Sequence, residues 1–180
     1  MKQAPIQLEF ENESERLALY AEAVAHYEAG SIPKERIDLG KKFKELITQG
    51  YIVKNSVRFL GEEIGDGFFA NEPLEEGAFV GEYVGCVRQN NRHGEMNNYL
   101  YSYPQTDEIG RNYVIDAENG SHTRLINHSF QPNLIAKYAF VDGYYHLILL
   151  TLREIQVDEQ LAYNYGKKYW IVREPPKPLF

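Results

Sequence analysis

Arg124-Leu125-Ile126-Asn127-His128-Ser129-Phe130-Gln131-Pro132-Asn133 sets amides, an imidazole and a hydroxyl side by side between apolar runs. So dense a polar cluster reads as buried hydrogen bonding rather than solvated loop, because asparagine and histidine side chains can each donate and accept. An Asn-His pair can also belong to a metal-dependent nuclease, but no second histidine or acidic pair stands at metal-ligand spacing from it. His26, His93, His122 and His146 are scattered and read as surface or core residues.

Three further clusters flank this segment. Downstream lies Gln160-Leu161-Ala162-Tyr163-Asn164-Tyr165-Gly166, followed by Tyr169-Trp170. The single tryptophan fits a core plug, and equally an aromatic lid over a flat ligand such as adenine. Upstream, Gly65-Asp66-Gly67-Phe68-Phe69-Ala70 carries paired glycines that let backbone approach a ligand, its N–H groups meeting a carboxylate or phosphate. The same pattern is also that of a plain turn. Between them, Asn97-Asn98-Tyr99-Leu100-Tyr101-Ser102-Tyr103 alternates three tyrosines, which in a strand share one face.

The rest of the chain supplies the frame. Residues 1–50 are helical in pattern: Leu17, Tyr20, Val24 and Tyr27 recur at helical spacing, with Asn12 or Ser14 as N-cap and Gly30 as stop. A turn at Ser31-Ile32-Pro33 leads to a second helix with Phe43, Leu46 and Ile47 on one face, ending at Gly50. From Tyr51 the pattern changes to short strands, predicted at Tyr51–Leu60, Phe68–Ala70, Phe79–Val87, Tyr113–Asp116, Ile135–Val141, Tyr144–Leu152 and Gln160–Tyr163. Asp142-Gly143 is the signature of a tight hairpin. The expected division is a helical extension at 1–50, a β domain at 51–172 and an extended, proline-rich tail at 173–180.

Composition narrows the function. At 180 residues, with 43% apolar residues and no apolar run near the length of a membrane span, a soluble globular domain made in the cytoplasm is expected. A net charge of −7 disfavours nucleic acid; it suits a basic partner, and equally serves solubility alone. The one cysteine, Cys86, excludes disulfide frameworks and cysteine-rich zinc clusters, and reads as a core thiol.

In order and spacing, the clusters resemble the SET domain: Gly65–Ala70, then Gly81-Glu82-Tyr83-Val84-Gly85, then Arg124–Asn133, then Leu161–Gly166, within a match from about Ser56 to Trp170. The likeness is to the small, cysteine-poor viral and bacterial type. It implies a mainly β fold, the β-clip of several small sheets with a C-terminal pseudoknot, plus a short N-terminal helical segment. It also implies a protein-lysine methyltransferase that uses S-adenosylmethionine. By match, Gly65 and Gly67, with Asp66 and Phe68 between and after them, line the cofactor's methionine end. Asn127 holds its amino group, the His128 backbone its adenine, and Arg124, Tyr165 and Trp170 complete the cofactor site. Tyr165 matches the catalytic tyrosine, Tyr99 a tyrosine of the lysine channel, and Tyr163 the Phe/Tyr position that governs how many methyl groups are added.

The departures are specific. Phe130 stands where most members have cysteine, and the C-terminal cysteine cluster is missing, so no metal is expected and Tyr169-Trp170 must close the channel alone. Asn164 replaces a common aspartate, and Leu125 a common phenylalanine. The implied substrate is a basic protein or peptide, a histone among the candidates, with no nucleic acid or membrane partner. A dimer is left open, as is export to a host nucleus if the source is an intracellular bacterium. The alternative is a SET-type module that binds a basic partner without turnover.

Overall fold

The computed structural model describes residues 7–91, 97–107 and 109–173. His93 and the tail beyond residue 173 therefore lie outside the described residues. Helix α1 spans Glu13–Glu28, and Asn12 is its N-cap: the side-chain oxygen accepts from the Ser14 N–H at 2.9 Å. Its buried residues are Leu19 and Ala23, whereas Leu17, Tyr20 and Tyr27 stay exposed. The tyrosines lie on the flank of the helix instead, Tyr27 stacking on Phe140 at 5.6 Å and Tyr20 meeting Tyr144 at 5.4 Å. Helix α2, Lys34–Thr48, buries Phe43 and Ile47 as predicted. It also buries Gly40, where an added Cβ would come within 1.9 Å of the Phe140 carbonyl oxygen.

The remainder is mostly strand in several small sheets, as the sequence predicts. The chain forms two compact units, the first taking residues up to Ile52, Gly81–Arg124 and Lys137–Ile148, and the second Val53–Val80, Leu125–Ala136 and Leu149 onward. In the first unit, β1 (Glu9–Phe10), β5 (Cys86–Gln89), β6 (Leu100–Thr106) and β7 (Asn112–Asp116) form a sheet in the order β1-β5-β7-β6. Its interior holds an ion pair, Arg88 to Asp116 at 2.8 Å, with both side chains at most 10% exposed. Burial pushes the Asp116 carboxyl up, but hydrogen bonds from Arg88, the Glu118 N–H and Asn97 outweigh it and hold the group below the usual carboxylate range.

Where one strand was expected over Phe79–Val87 there are two, β4 (Phe79–Glu82) and β5, separated by buried Tyr83, Val84 and Gly85. The break is at Gly85, whose backbone lies so close to the Asp116 carbonyl that a Cβ would approach its oxygen to 2.2 Å. An apolar run buried on both faces has no periodicity to reveal such a break. The Tyr51–Leu60 strand shortens to β2 (Asn55–Phe59), which pairs antiparallel with β3 (Asp66–Ala70). Of the alternating tyrosines, Tyr99 precedes β6, while Tyr101 and Tyr103 lie on it. The hairpin of β9 (Leu134–Val141) and β10 (Tyr144–Thr151) turns at Asp142 and Gly143, both at positive φ (49° and 87°), as a type I′ turn requires.

The second unit contains the topology that matters most. β8 (Asn127–His128) and β9 are consecutive in sequence, yet β11 (Ala162–Tyr163) lies between them and runs parallel to both. Residues 129–133 must therefore cross over β11. The Ser129 N–H donates to the Tyr163 carbonyl and the Asn133 N–H to that of Ala162, both at 3.1 Å. Connections that thread in this way are rare.

Candidate functional site

Tyr163 and Tyr165 are placed by this crossing. Register pairs Ala162 with Asn127 and Tyr163 with His128. The chain then turns at Asn164-Tyr165-Gly166, where Gly166 takes φ +83° and its N–H donates to Asn164 Oδ1 at 2.8 Å. Aspartate would offer the same acceptor, so the Asn164 departure preserves the turn. Tyr165 thereby lands against β8, its backbone N–H donating to His128 Nδ1 at 3.1 Å and its hydroxyl to the Ile126 carbonyl at 2.8 Å.

Aromatic rings surround this phenol. Tyr163 is 4.8 Å away and Tyr169 4.7 Å, and Trp170 lies nearly parallel at 6.3 Å and 9°. Tyr169 and Trp170 stand on a 3-10 turn over Lys167–Val172. His128 is packed edge-on by Phe130 at 4.6 Å and by Trp170 at 4.9 Å. Phe130, at the cysteine position, thus packs on the histidine while remaining half exposed.

The glycine cluster joins the same unit. Gly65 needs positive φ (+76°) and faces open space, since an added Cβ meets nothing within 4 Å. Gly67 is more crowded: a Cβ there would lie 2.5 Å from Leu60 Cδ1, and that side chain would have to shift. Asn127 Nδ2 donates to the Asp66 carbonyl at 3.0 Å, tying this loop to β8. Its Oδ1 carries no hydrogen bond from a described residue. Phe68 is fully buried, with its carbonyl accepting from the Leu161 N–H at 2.8 Å.

Tyr99 and Arg124 belong to the first unit, where the guanidinium lies 4.8 Å from the Tyr99 ring centroid. The Arg124 Nη1 also donates to the Glu118 carbonyl at 2.8 Å.

Two participants were not singled out from sequence. Ile126 supplies the acceptor for the Tyr165 hydroxyl through its backbone, so no side-chain signal announces it. Asn133 is 6% exposed and clamps the crossing segment through its Nδ2 to Glu159 Oε1 and the Gln160 carbonyl, both 2.9 Å, and through its Oδ1 from the Ala162 N–H at 2.8 Å. The density of amides in 124–133 was the only available clue.

Among the described residues no group of three or more His, Cys, Asp or Glu is placed to hold a metal ion. Beside Tyr165, two buried ring nitrogens, His128 Nε2 and Trp170 Nε1, lack hydrogen-bond partners among the described residues. An open glycine turn, a free amide oxygen and unpartnered ring N–H groups beside stacked aromatics suit a polar ligand with a flat heterocycle.

The SET domain family model matches residues 65–166. The chain is similar to N-lysine methyltransferase KMT5A-A of Danio rerio, 34% identical over 132 residues that make up 68% of this chain and 38% of that protein. It is similar to an H3 lysine-4 specific histone-lysine N-methyltransferase of Aspergillus oryzae, 38% identical over 62% of this chain and 10% of that protein. Histone-lysine N-methyltransferase ASHH3 of Arabidopsis thaliana is 36% identical over 58% of this chain and 30% of its own length. The chain thus spans well under half the length of these relatives.

Proposed function

The chain belongs to the SET-domain family, and from that premise we propose that it transfers methyl groups from S-adenosylmethionine to the side-chain amine of a lysine in a basic protein, histones included. When bound, this cofactor supplies an electrophilic methyl group on a positively charged sulfur. Gly65, Asp66, Gly67 and Phe68 would hold its amino-acid end by their backbone, and the free Oδ1 of Asn127 would accept from its ammonium. His128 and Trp170 would cover its heterocycle. Tyr99 is assigned to the substrate lysine on its motif match alone.

One observation carries the proposal: β11 brings a phenol from the chain end against the Asn127-His128 strand, hydrogen-bonded to Ile126. The task of these residues is twofold. At neutral pH only about one lysine in two to three thousand carries the lone pair needed for attack, given a pKa near 10.4. Desolvation among tyrosines favours the neutral amine, and a carboxylate would oppose it by stabilising the ammonium. The rings of His128, Tyr163, Tyr169 and Trp170 pack on Tyr165, which gives the phenol an aromatic surrounding of that kind. The second task is alignment, which can lower a barrier by on the order of 7–11 kcal/mol. Because Tyr165 donates its hydroxyl hydrogen to Ile126, the oxygen presents lone pairs outward, as weak C–H contacts to a polarised methyl need.

The test is transfer of labelled methyl from the donor to histones and to native basic proteins, with the modified residues read by mass spectrometry. Tyr165→Phe is expected to lower turnover about a hundredfold while leaving donor affinity intact. Undiminished turnover in that variant would reject the assignment of Tyr165. Absence of transfer to any protein would favour a binding module instead.

A further inference from the structure

On the reading that Tyr165 is the catalytic phenol, we propose that the His128 side chain is its positioning residue, holding the Tyr165 main chain in place only while the imidazole is neutral, so that turnover falls when His128 takes up a proton. The resemblance assigns only the His128 backbone; the ring's part rests on its hydrogen bond. A backbone N–H can only donate, so the contact from Tyr165 to Nδ1 requires a bare lone pair on that nitrogen. In the neutral ring the proton then sits on Nε2, the atom found buried without a partner among the described residues. Protonation would place two N–H groups nose to nose, and one of them must move. The freed residue is the centre of the Asn164–Gly166 turn, so the phenol moves with it.

Among the described residues no carboxylate is hydrogen-bonded to the ring. Phe130, Tyr165 and Trp170 enclose it, with ring centroids 4.6, 5.4 and 4.9 Å away. The titratable groups on the elements packed around it are the phenols of Tyr163, Tyr165 and Tyr169, the exposed Lys167 and Lys168 at the start of the last turn, and Asp66 on β3. Burial holds the pKa of His128 below the ordinary imidazole value. The sign follows from that depression. The folded form binds the proton less readily than the unfolded chain, so this contribution is complete above about pH 6.5 and is lost as pH falls through the folded value.

NMR of nitrogen-15-labelled protein tests the idea without reference to turnover. At about pH 8 the ring nitrogens are expected to report the Nε2–H tautomer. On acidification the His128 ring and the Tyr165 amide should titrate with one midpoint, below about 6.5. His128→Asn keeps an acceptor oxygen near the Nδ1 position and does not titrate, so its Tyr165 amide should stay fixed over that range. In methyl transfer, the ratio of wild-type to His128→Asn rate cancels the protonation of the substrate lysine. That ratio should be flat at neutral pH and drop about tenfold per pH unit below the midpoint. A proton on Nδ1 at about pH 8, a Tyr165 amide that ignores the ring's titration, or a ratio flat through the midpoint would each overturn the proposal. If no protein is methylated, the amide titration still decides whether His128 holds Tyr165, and the catalytic reading fails separately.

Discussion

Replacing Asn133 by alanine is the sharpest test of how the site is held. A two-residue strand has no stability of its own, and Asn133 is what fastens β11 from the side, with two hydrogen bonds to backbone and one to the Glu159 carboxylate. At about 1 kcal/mol for each neutral bond and about 1.5–2 for the charged one, the loss comes to roughly 3–4 kcal/mol. For a domain of this size each kcal/mol shifts the melting temperature by about 2–4 °C, so a fall on the order of 10 °C is expected in calorimetry. Asn133→Asp should do no better: it keeps the acceptor for the Ala162 N–H, loses both donations and sets a second negative charge against Glu159. Hydrogen exchange provides the local readout, since the Ala162 and Tyr165 amides should lose protection before those of the β10 core. A melting temperature within about 2 °C of wild type, with the Ala162 amide still protected, would refute the view that this side chain secures the crossing.

Three further outcomes are expected. Asn127→Ala should weaken S-adenosylmethionine binding about ten- to a hundredfold in calorimetry, the worth of a hydrogen bond to a charged group, and wild-type affinity would remove Asn127 from the cofactor site. Tyr163→Phe should shift products toward trimethyl-lysine by removing a hydroxyl that favours early stopping; a wild-type product already dominated by trimethyl-lysine in mass spectra would contradict that role. Gly40→Ala should destabilise by about 1–3 kcal/mol in denaturant titration, because the new Cβ meets the Phe140 carbonyl oxygen at 1.9 Å; a neutral change would mean that α2 can slide.

Legibility in the sequence tracked the kind of signal. Asp142-Gly143 announced its turn because positive φ at both positions leaves few residue choices. The α2 face was readable from Phe43 and Ile47. The α1 face was not, since its contact runs over Leu19 and Ala23 while the large tyrosines lie half in solvent. The break at Gly85 and the two residues of β1 were hidden, one inside an unbroken apolar run and the other too short for any period. For the site, ordered motifs pointed to Tyr165, Asn127 and His128, which the structure gathers into one unit. The Ile126 carbonyl and the Asn133 clamp were out of reach, because both are contacts across a crossing, separated by 39 and 29 residues of sequence.

Had β11 extended the rim of its sheet, its loss would leave the other strands paired as before. Here it occupies an inner row, with Asn127-His128 on one flank and Leu134 on the other. A nascent polypeptide lacking residues 160–166 would therefore expose two orphaned ladders at once, and a nick in the 152–159 connection would undo the site from within. The site is therefore complete only once residues 160–166 have joined both ladders.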